Sequence, residues 1–298
     1  MFQSILDDLK QAIRSGNMIT RLIIINCIVF FITAIGKALF PSAYNFIFPY
    51  IALPGNLLEL VTRPWTVITH MFIHAGAMHL LFNMLFLYWF GRIVGDLLGD
   101  RRILPLYFLG GLIGAAAYII SHQLLPSAVG PYAVGASAAI MCMVATAGAI
   151  APDYIIRLIF IGDVRLKYVV LFIILMDLIG ATEGNTGGHI AHLGGAALGF
   201  MFVKQLHAGS DISSPMENLL KKITAWVSDN PVETRSRKKK KTPLKVAHKG
   251  KPAHRQDKAP KPQNFQAELD RILDKIKEDG YESLSAEEKE FLFQASKK

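Results

Sequence analysis

Cysteine is nearly missing from this chain. Its 298 residues hold two, Cys27 and Cys142, each inside an apolar run, which excludes a disulfide framework and a cysteine-built metal cluster. Charged residues are missing from the middle of the long apolar runs, and no internal repeat recurs, so a transporter with a charged pathway is disfavoured. No Ala-x-Ala cleavage signature follows the first apolar run, residues 19–40, which is also long for a signal-peptide core. That run is read as a membrane-spanning helix. The one strongly basic stretch has no interleaved aromatic residues, so nucleic acid is not expected as a partner.

What is present in quantity is apolar. Hydrophobic residues make up 52% of the chain and the mean hydropathy is +0.34, high for a soluble protein of this size and suited to an integral membrane protein. The net charge of +9 is local: residues 234–261 hold twelve Lys/Arg against one Asp, which leaves the remainder slightly acidic.

Six apolar runs are expected to span, at residues 19–40, 77–98, 103–122, 132–151, 164–180 and 188–206. Residues 41–65 are irregular and proline-rich yet apolar, as in a loop that dips into the lipid interface. The division that follows is a cytoplasmic segment 1–18, a helical body 19–206, a basic Pro/Lys-rich disordered linker 207–262 and a small helical hairpin 263–298. In the hairpin, Leu269, Ile272, Leu273 and Ile276 repeat at helical spacing, and Ser285 with Glu288 forms a capping-box pattern. Its partner is unknown from sequence. The basic stretch suits anionic inner-leaflet lipid, and residues 221–226 suit the membrane surface.

Orientation follows from basic residues beside the runs. With the N-terminus inside, inner segments carry Lys10, Arg14, Arg21, Arg92, Arg101, Arg102, Arg157, Arg165 and Lys167, against Lys37 and Arg63 outside. Both termini are then cytoplasmic, in a cell inner membrane, and runs two, four and six begin at the outer face.

Three of those outer ends carry polar side chains. Ser137 follows Gly135 and Ala136 in the fourth run, His189 and His192 open the sixth, and His79 and Asn83 open the second. A lone serine in a membrane helix is commonplace, since its hydroxyl can bond back to a carbonyl one turn earlier. Serine with imidazole and amide donors at matching depth is different. Imidazole can take the serine proton near neutral pH, and a neutral histidine is cheaper to hold in a membrane than a carboxylate. His79 and Asn83, one turn apart, can donate to an oxyanion. Periodicity does not choose between His189 and His192; depth does, because His189 lies about 4.5 Å nearer the surface and His192 is recessed like Ser137.

These residues resemble the motifs of the rhomboid intramembrane serine proteases. Gly135-Ala136-Ser137 resembles the nucleophile motif, His192-Leu193-Gly194-Gly195 with Gly199 the base and its close-packing face, and His79-Leu80-Leu81-Phe82-Asn83 the oxyanion motif. The resemblance covers residues 19–206 and implies an all-α membrane protein, a six-transmembrane-helix rhomboid-like bundle with a small cytoplasmic helical C-terminal extension. It implies a serine endopeptidase acting on transmembrane protein substrates, with Ser137 as nucleophile, His192 as base and acid, His79 and Asn83 at the oxyanion, Gly135, Gly195 and Gly199 in support, and neither metal nor cofactor. Where the family often has glycine and an aromatic residue after the serine, this chain has Ala138 and Met141. Its Arg63-Pro64-Trp65 stands for the family's Trp-Arg pair. The rival is a non-catalytic rhomboid-like protein that binds membrane proteins. His70 and His74 are expected to bond loop backbone or hydrate the site, and Asp177 to pair with a loop group rather than to orient the base.

Overall fold

The computed structural model describes residues 11, 16–158, 161–182, 184–227, 265–279 and 283–295, in two compact units, Met1–Thr234 and Arg235–Lys298.

In the first unit, helix α1 (Met18–Leu39) is capped by Asn17, whose side chain accepts the Thr20 N–H at 2.9 Å. Much of its apolar surface, including Phe31, Ile32 and Ile35, is exposed, as expected of a helix that faces lipid. Short helices α2 (Pro41–Ile47), α3 (Leu57–Thr62) and α4 (Thr66–Thr69) follow. The apolar loop they form exposes Phe46, Leu58 and Val61 and is tied down from inside. Arg63 donates to the Pro49 carbonyl at 3.1 Å and lies over the Tyr50 ring, and Trp65 Nε1 donates to the Tyr50 carbonyl at 2.8 Å.

Helices α5 (Ala77–Leu98) and α6 (Ile103–Leu124) lead to α7 (Ser137–Ile150), α8 (Leu166–Gly180) and α9 (Thr186–His207). Residues Ala138 to Gly148 of α7 are all buried. A helix apolar on every side belongs at the centre of a bundle, and α7 packs against α5, α6, α8 and α9. Among the described residues, three helical stretches are long and apolar enough to cross a membrane: Met18–Leu39, Ala77–Leu98 and Asp100–Leu124. The chain is an integral membrane protein of mostly helical fold.

Two expected runs begin later than their hydropathy suggests. Residues 132–151 do not form one helix, because Tyr132–Ala133 (β2) pairs antiparallel with Leu53–Pro54 (β1). Gly135 then turns the chain at φ +128°, so α7 starts at Ser137. At 14 residues it is about 21 Å long, short of a hydrocarbon core of about 30 Å. Residues 164–165 likewise belong to strand β4 (Gly162–Arg165), paired with β3 (Ile155–Leu158), and α8 starts at Leu166.

The expected linker also needs correction at its start. Asp211 accepts from Arg102 at 2.9 Å, and α10 (Ser214–Val227) packs on α6. The linker's remainder, residues 228–262, lies outside the described residues.

In the second unit, α11 (Phe265–Asp279) and α12 (Ala286–Ala295) form a hairpin. The capping box is present: the Ser285 N–H donates to Glu288 at 2.8 Å and the Glu288 N–H to Ser285 Oγ at 3.2 Å. Glu288 also accepts from Arg271 and Lys275 of α11, at 2.8 and 3.0 Å.

Candidate active site

Ser137 is the first residue of α7, a position whose backbone N–H has no partner within its own helix. The helix dipole directs positive potential there. Gly135 sets this up twice. Its positive φ suits glycine alone among common residues, and a Cβ on it would lie 2.9 Å from Nε2 of His79 and 3.5 Å from Ser137 Oγ. Its N–H donates to the His70 carbonyl at 2.9 Å. His70 Nδ1 in turn bonds the Thr66 carbonyl at 2.8 Å, so its ring is held by the backbone of α4 one turn earlier and not by a loop. His74 packs its ring edge-on to His79, with centroids 5.2 Å apart.

His192 projects from α9 with Nε2 2.6 Å from Ser137 Oγ. Two glycines allow the approach. A Cβ on Gly195 would overlap the Ala138 carbonyl, and one on Gly199 the Cys142 carbonyl, so α9 lies directly on the backbone of α7. The seam of small residues read from the sequence is therefore what brings His192 and Ser137 within hydrogen-bond reach.

Asp177 does not pair with a loop group. Its Oδ1 lies 2.8 Å from Nδ1 of His192 and 2.6 Å from Nδ1 of His189. The sequence signal was present, a carboxylate in an apolar helix, but its partner was not legible because the crossing of α8 and α9 decides which loop or helix it meets. The donor atoms of Asp177, His189 and His192 lie within 4.8 Å of one another. They could in principle chelate a divalent ion, and as they stand they satisfy one another.

His79 and Asn83 line the same half-open cavity of about 240 Å³ as Ser137, His192 and Asp177. His79 Nδ1 accepts the Ala75 N–H at 3.4 Å, which leaves the proton on Nε2, beside Gly135. Asn83 turns one amide N–H back to the His79 carbonyl at 2.8 Å, which leaves the other available as a donor. Phe82, Phe86, Ile140 and Ile173 make the remaining wall apolar, and Met141 lines it where the family often has an aromatic ring.

A bundle of membrane helices brings a serine, a histidine and two further donors around one cavity, and the comparisons bear on the family of the chain. The Rhomboid domain family model matches residues 61–208, and a family of unknown function, DUF6576, matches residues 260–298. RHOMBOID-like protein 12, mitochondrial, of Arabidopsis thaliana is 32% identical over 149 residues, 46% of this chain and 44% of that protein. Presenilin-associated rhomboid-like protein A, mitochondrial, of Danio rerio is 27% identical over 150 residues, 49% of this chain and 38% of that protein. YdcA of Bacillus subtilis (strain 168), also named as a rhomboid protein, is 29% identical over 142 residues, 46% of this chain and 64% of that protein. The matched region spans less than two thirds of each relative. The chain belongs to the rhomboid family.

Proposed function

We propose that this protein is an intramembrane serine endopeptidase that hydrolyses peptide bonds in or near transmembrane segments of other membrane proteins. The observation that carries the reading is the 2.6 Å contact between Ser137 Oγ and His192 Nε2, at the wall of a cavity with donors opposite. Ser137 Oγ attacks the substrate carbonyl as its proton passes to His192 Nε2. The resulting oxyanion accepts from the Ser137 backbone N–H, His79 Nε2–H and the second Asn83 amide N–H; one such donor is worth roughly 3–4 kcal/mol in soluble precedents. Collapse breaks the C–N bond, and His192 gives its proton to the leaving amine. Water, deprotonated by His192, then hydrolyses the acyl-enzyme and frees Ser137. No step calls on a metal or cofactor.

A peptide bond inside a stable helix is shielded from attack, so the preferred substrates carry small or helix-breaking residues near the cut. The apolar wall of the cavity suits such a segment. In this reading all six long helices, α1 and α5 to α9, cross a cell inner membrane with both termini cytoplasmic. Because α7 is short, Ser137 lies below the outer lipid boundary and meets water through the cavity.

The test is a fluorophosphonate probe on detergent-purified protein. Labelling lost in Ser137→Ala supports the hydrolase. Folded wild-type protein that neither labels nor cleaves a transmembrane reporter favours the non-catalytic membrane-protein-binding reading.

A further inference from the structure

We infer that Asp177 is a positioning residue for His192 and that His189 is the brace that holds Asp177 in place. The inference rests on the hydrolase reading and extends the reacting pair to a relay of four side chains.

A neutral imidazole carries one N–H, and the partner of one ring nitrogen decides which nitrogen has it. Between Nδ1 of His192 and Oδ1 of Asp177 the separation is 2.8 Å, and a carboxylate accepts, so Nδ1 carries the proton. Nε2 then presents its lone pair to Ser137 Oγ, 2.6 Å away, as a base requires. Without an acceptor at Nδ1 the ring could place its N–H on Nε2, facing the serine with no lone pair. Once the serine proton has moved, the imidazolium sits beside a carboxylate in surroundings of low dielectric, where such a pairing counts for more than in water.

The second histidine explains why the carboxylate stays in place. His189 and His192 are three residues apart on α9 and share a face. Their rings lie 5.7 Å apart at 79°, and both Nδ1 atoms converge on the one Asp177 oxygen. The structure makes room for this on the facing helix. Gly180 is one turn after Asp177, and a Cβ there would come within 2.6 Å of the His189 ring. A buried carboxylate with no donors would be expensive to keep; two N–H donors make this one stable enough to serve His192. The titratable groups facing His192 are Asp177 from α8, His79 from α5 and His189 from its own helix.

The competing view is that the carboxylate only ties α8 to α9, and two readouts separate the two. In steady-state cleavage of a transmembrane reporter, Asp177→Asn is expected to lower kcat on the order of 10³-fold with KM little changed. Asp177→Glu should restore part of the rate, and His189→Ala should cost less than Asp177→Asn. The second readout needs no turnover: in ¹⁵N-histidine-labelled Ser137→Ala protein, the His192 Nδ1–H proton should resonate far downfield and lose that shift in Ser137→Ala/Asp177→Ala. Folded Asp177→Asn with unchanged kcat overturns the inference and leaves the hydrolase reading standing, as does a downfield signal that survives Asp177→Ala. Wild-type protein that shows neither labelling nor cleavage removes the hydrolase reading instead, while the proton signal still decides whether Asp177 orients the ring.

Discussion

Gly195 of α9 lies against the carbonyl oxygen of Ala138 on α7, with no room between them for a methyl group. Ala138 directly follows Ser137, and Gly195 is three residues after His192. The contact therefore sets the separation of Ser137 and His192. Gly195→Ala must push the helices apart or tilt one of them. Overpacking of this kind costs about 1–3 kcal/mol, and a shift of a few tenths of an ångström stretches the Ser–His hydrogen bond. We expect a lower thermal midpoint in detergent and a fluorophosphonate labelling rate that falls more than the stability loss explains. Gly199→Val should act in the same direction, against the Cys142 carbonyl. Labelling at the wild-type rate in either variant would show that the seam does not set the site.

Ser137→Ala and His192→Ala should each reduce cleavage of a transmembrane reporter to background, and the double variant should be no worse than either, because groups that act as a unit are not additive. His189→Ala should keep a measurable rate, since His189 reaches the site through Asp177. If folded His189→Ala were inactive while His192→Ala cleaved, the base would be misassigned.

Topology is open to a direct check. A reporter fused after Thr234 should read as cytoplasmic, and one inserted at Gly184, between α8 and α9, as external. The reverse pattern would place the cavity at the inner face and contradict the orientation drawn from Lys/Arg bias.

The C-terminal unit should be dispensable for catalysis, but the position of the cut matters. A chain ending at Thr234 keeps the 2.9 Å Arg102–Asp211 ion pair and α10, and should cleave at close to the full-length rate. A chain ending at Leu206 loses both and should unfold at a lower temperature. Loss of activity in the folded longer truncation would assign the hairpin to the catalytic unit.

The hairpin should respond to acid. The Ser285 N–H, then Lys275 and Arg271, hold the Glu288 carboxyl down to about 2, from an ordinary 4.5. A depressed carboxylate stabilises the fold above its unfolded value and loses that contribution as pH falls. Hydrogen-exchange protection, corrected for intrinsic rates, should therefore be steady above about 4.5 and decline toward about 2. Glu288→Gln should lower protection at neutral pH and remove that decline.

Much of the architecture was legible along the chain. Apolar runs place α5 to the residue and α1, α6 and α9 to within about two, and the capping box at Ser285 and Glu288 is local chemistry that needs no distant partner. The starts of α7 and α8 were not legible. Each is set by strand pairing, Tyr132 with Pro54 and Arg165 with Ile155, and an apolar run has the same composition whether its first residues are helical or extended. The partner of Asp177 was not legible either, because a carboxylate near a helix end reads the same whether it meets a loop or a histidine.

By itself the sequence determined the membrane character of the chain and its charge asymmetry and singled out Ser137, His192, His79 and Asn83 as candidates, since hydropathy, charge and motif spacing are properties of residue order. Only the tertiary structure decided that Ser137 opens its helix, that Gly195 and Gly199 bring α9 onto α7, and that one oxygen of Asp177 receives both histidines. Those facts depend on how helices distant in sequence cross, and a crossing is settled by shape and by the hydrogen bonds that buried polar groups must find.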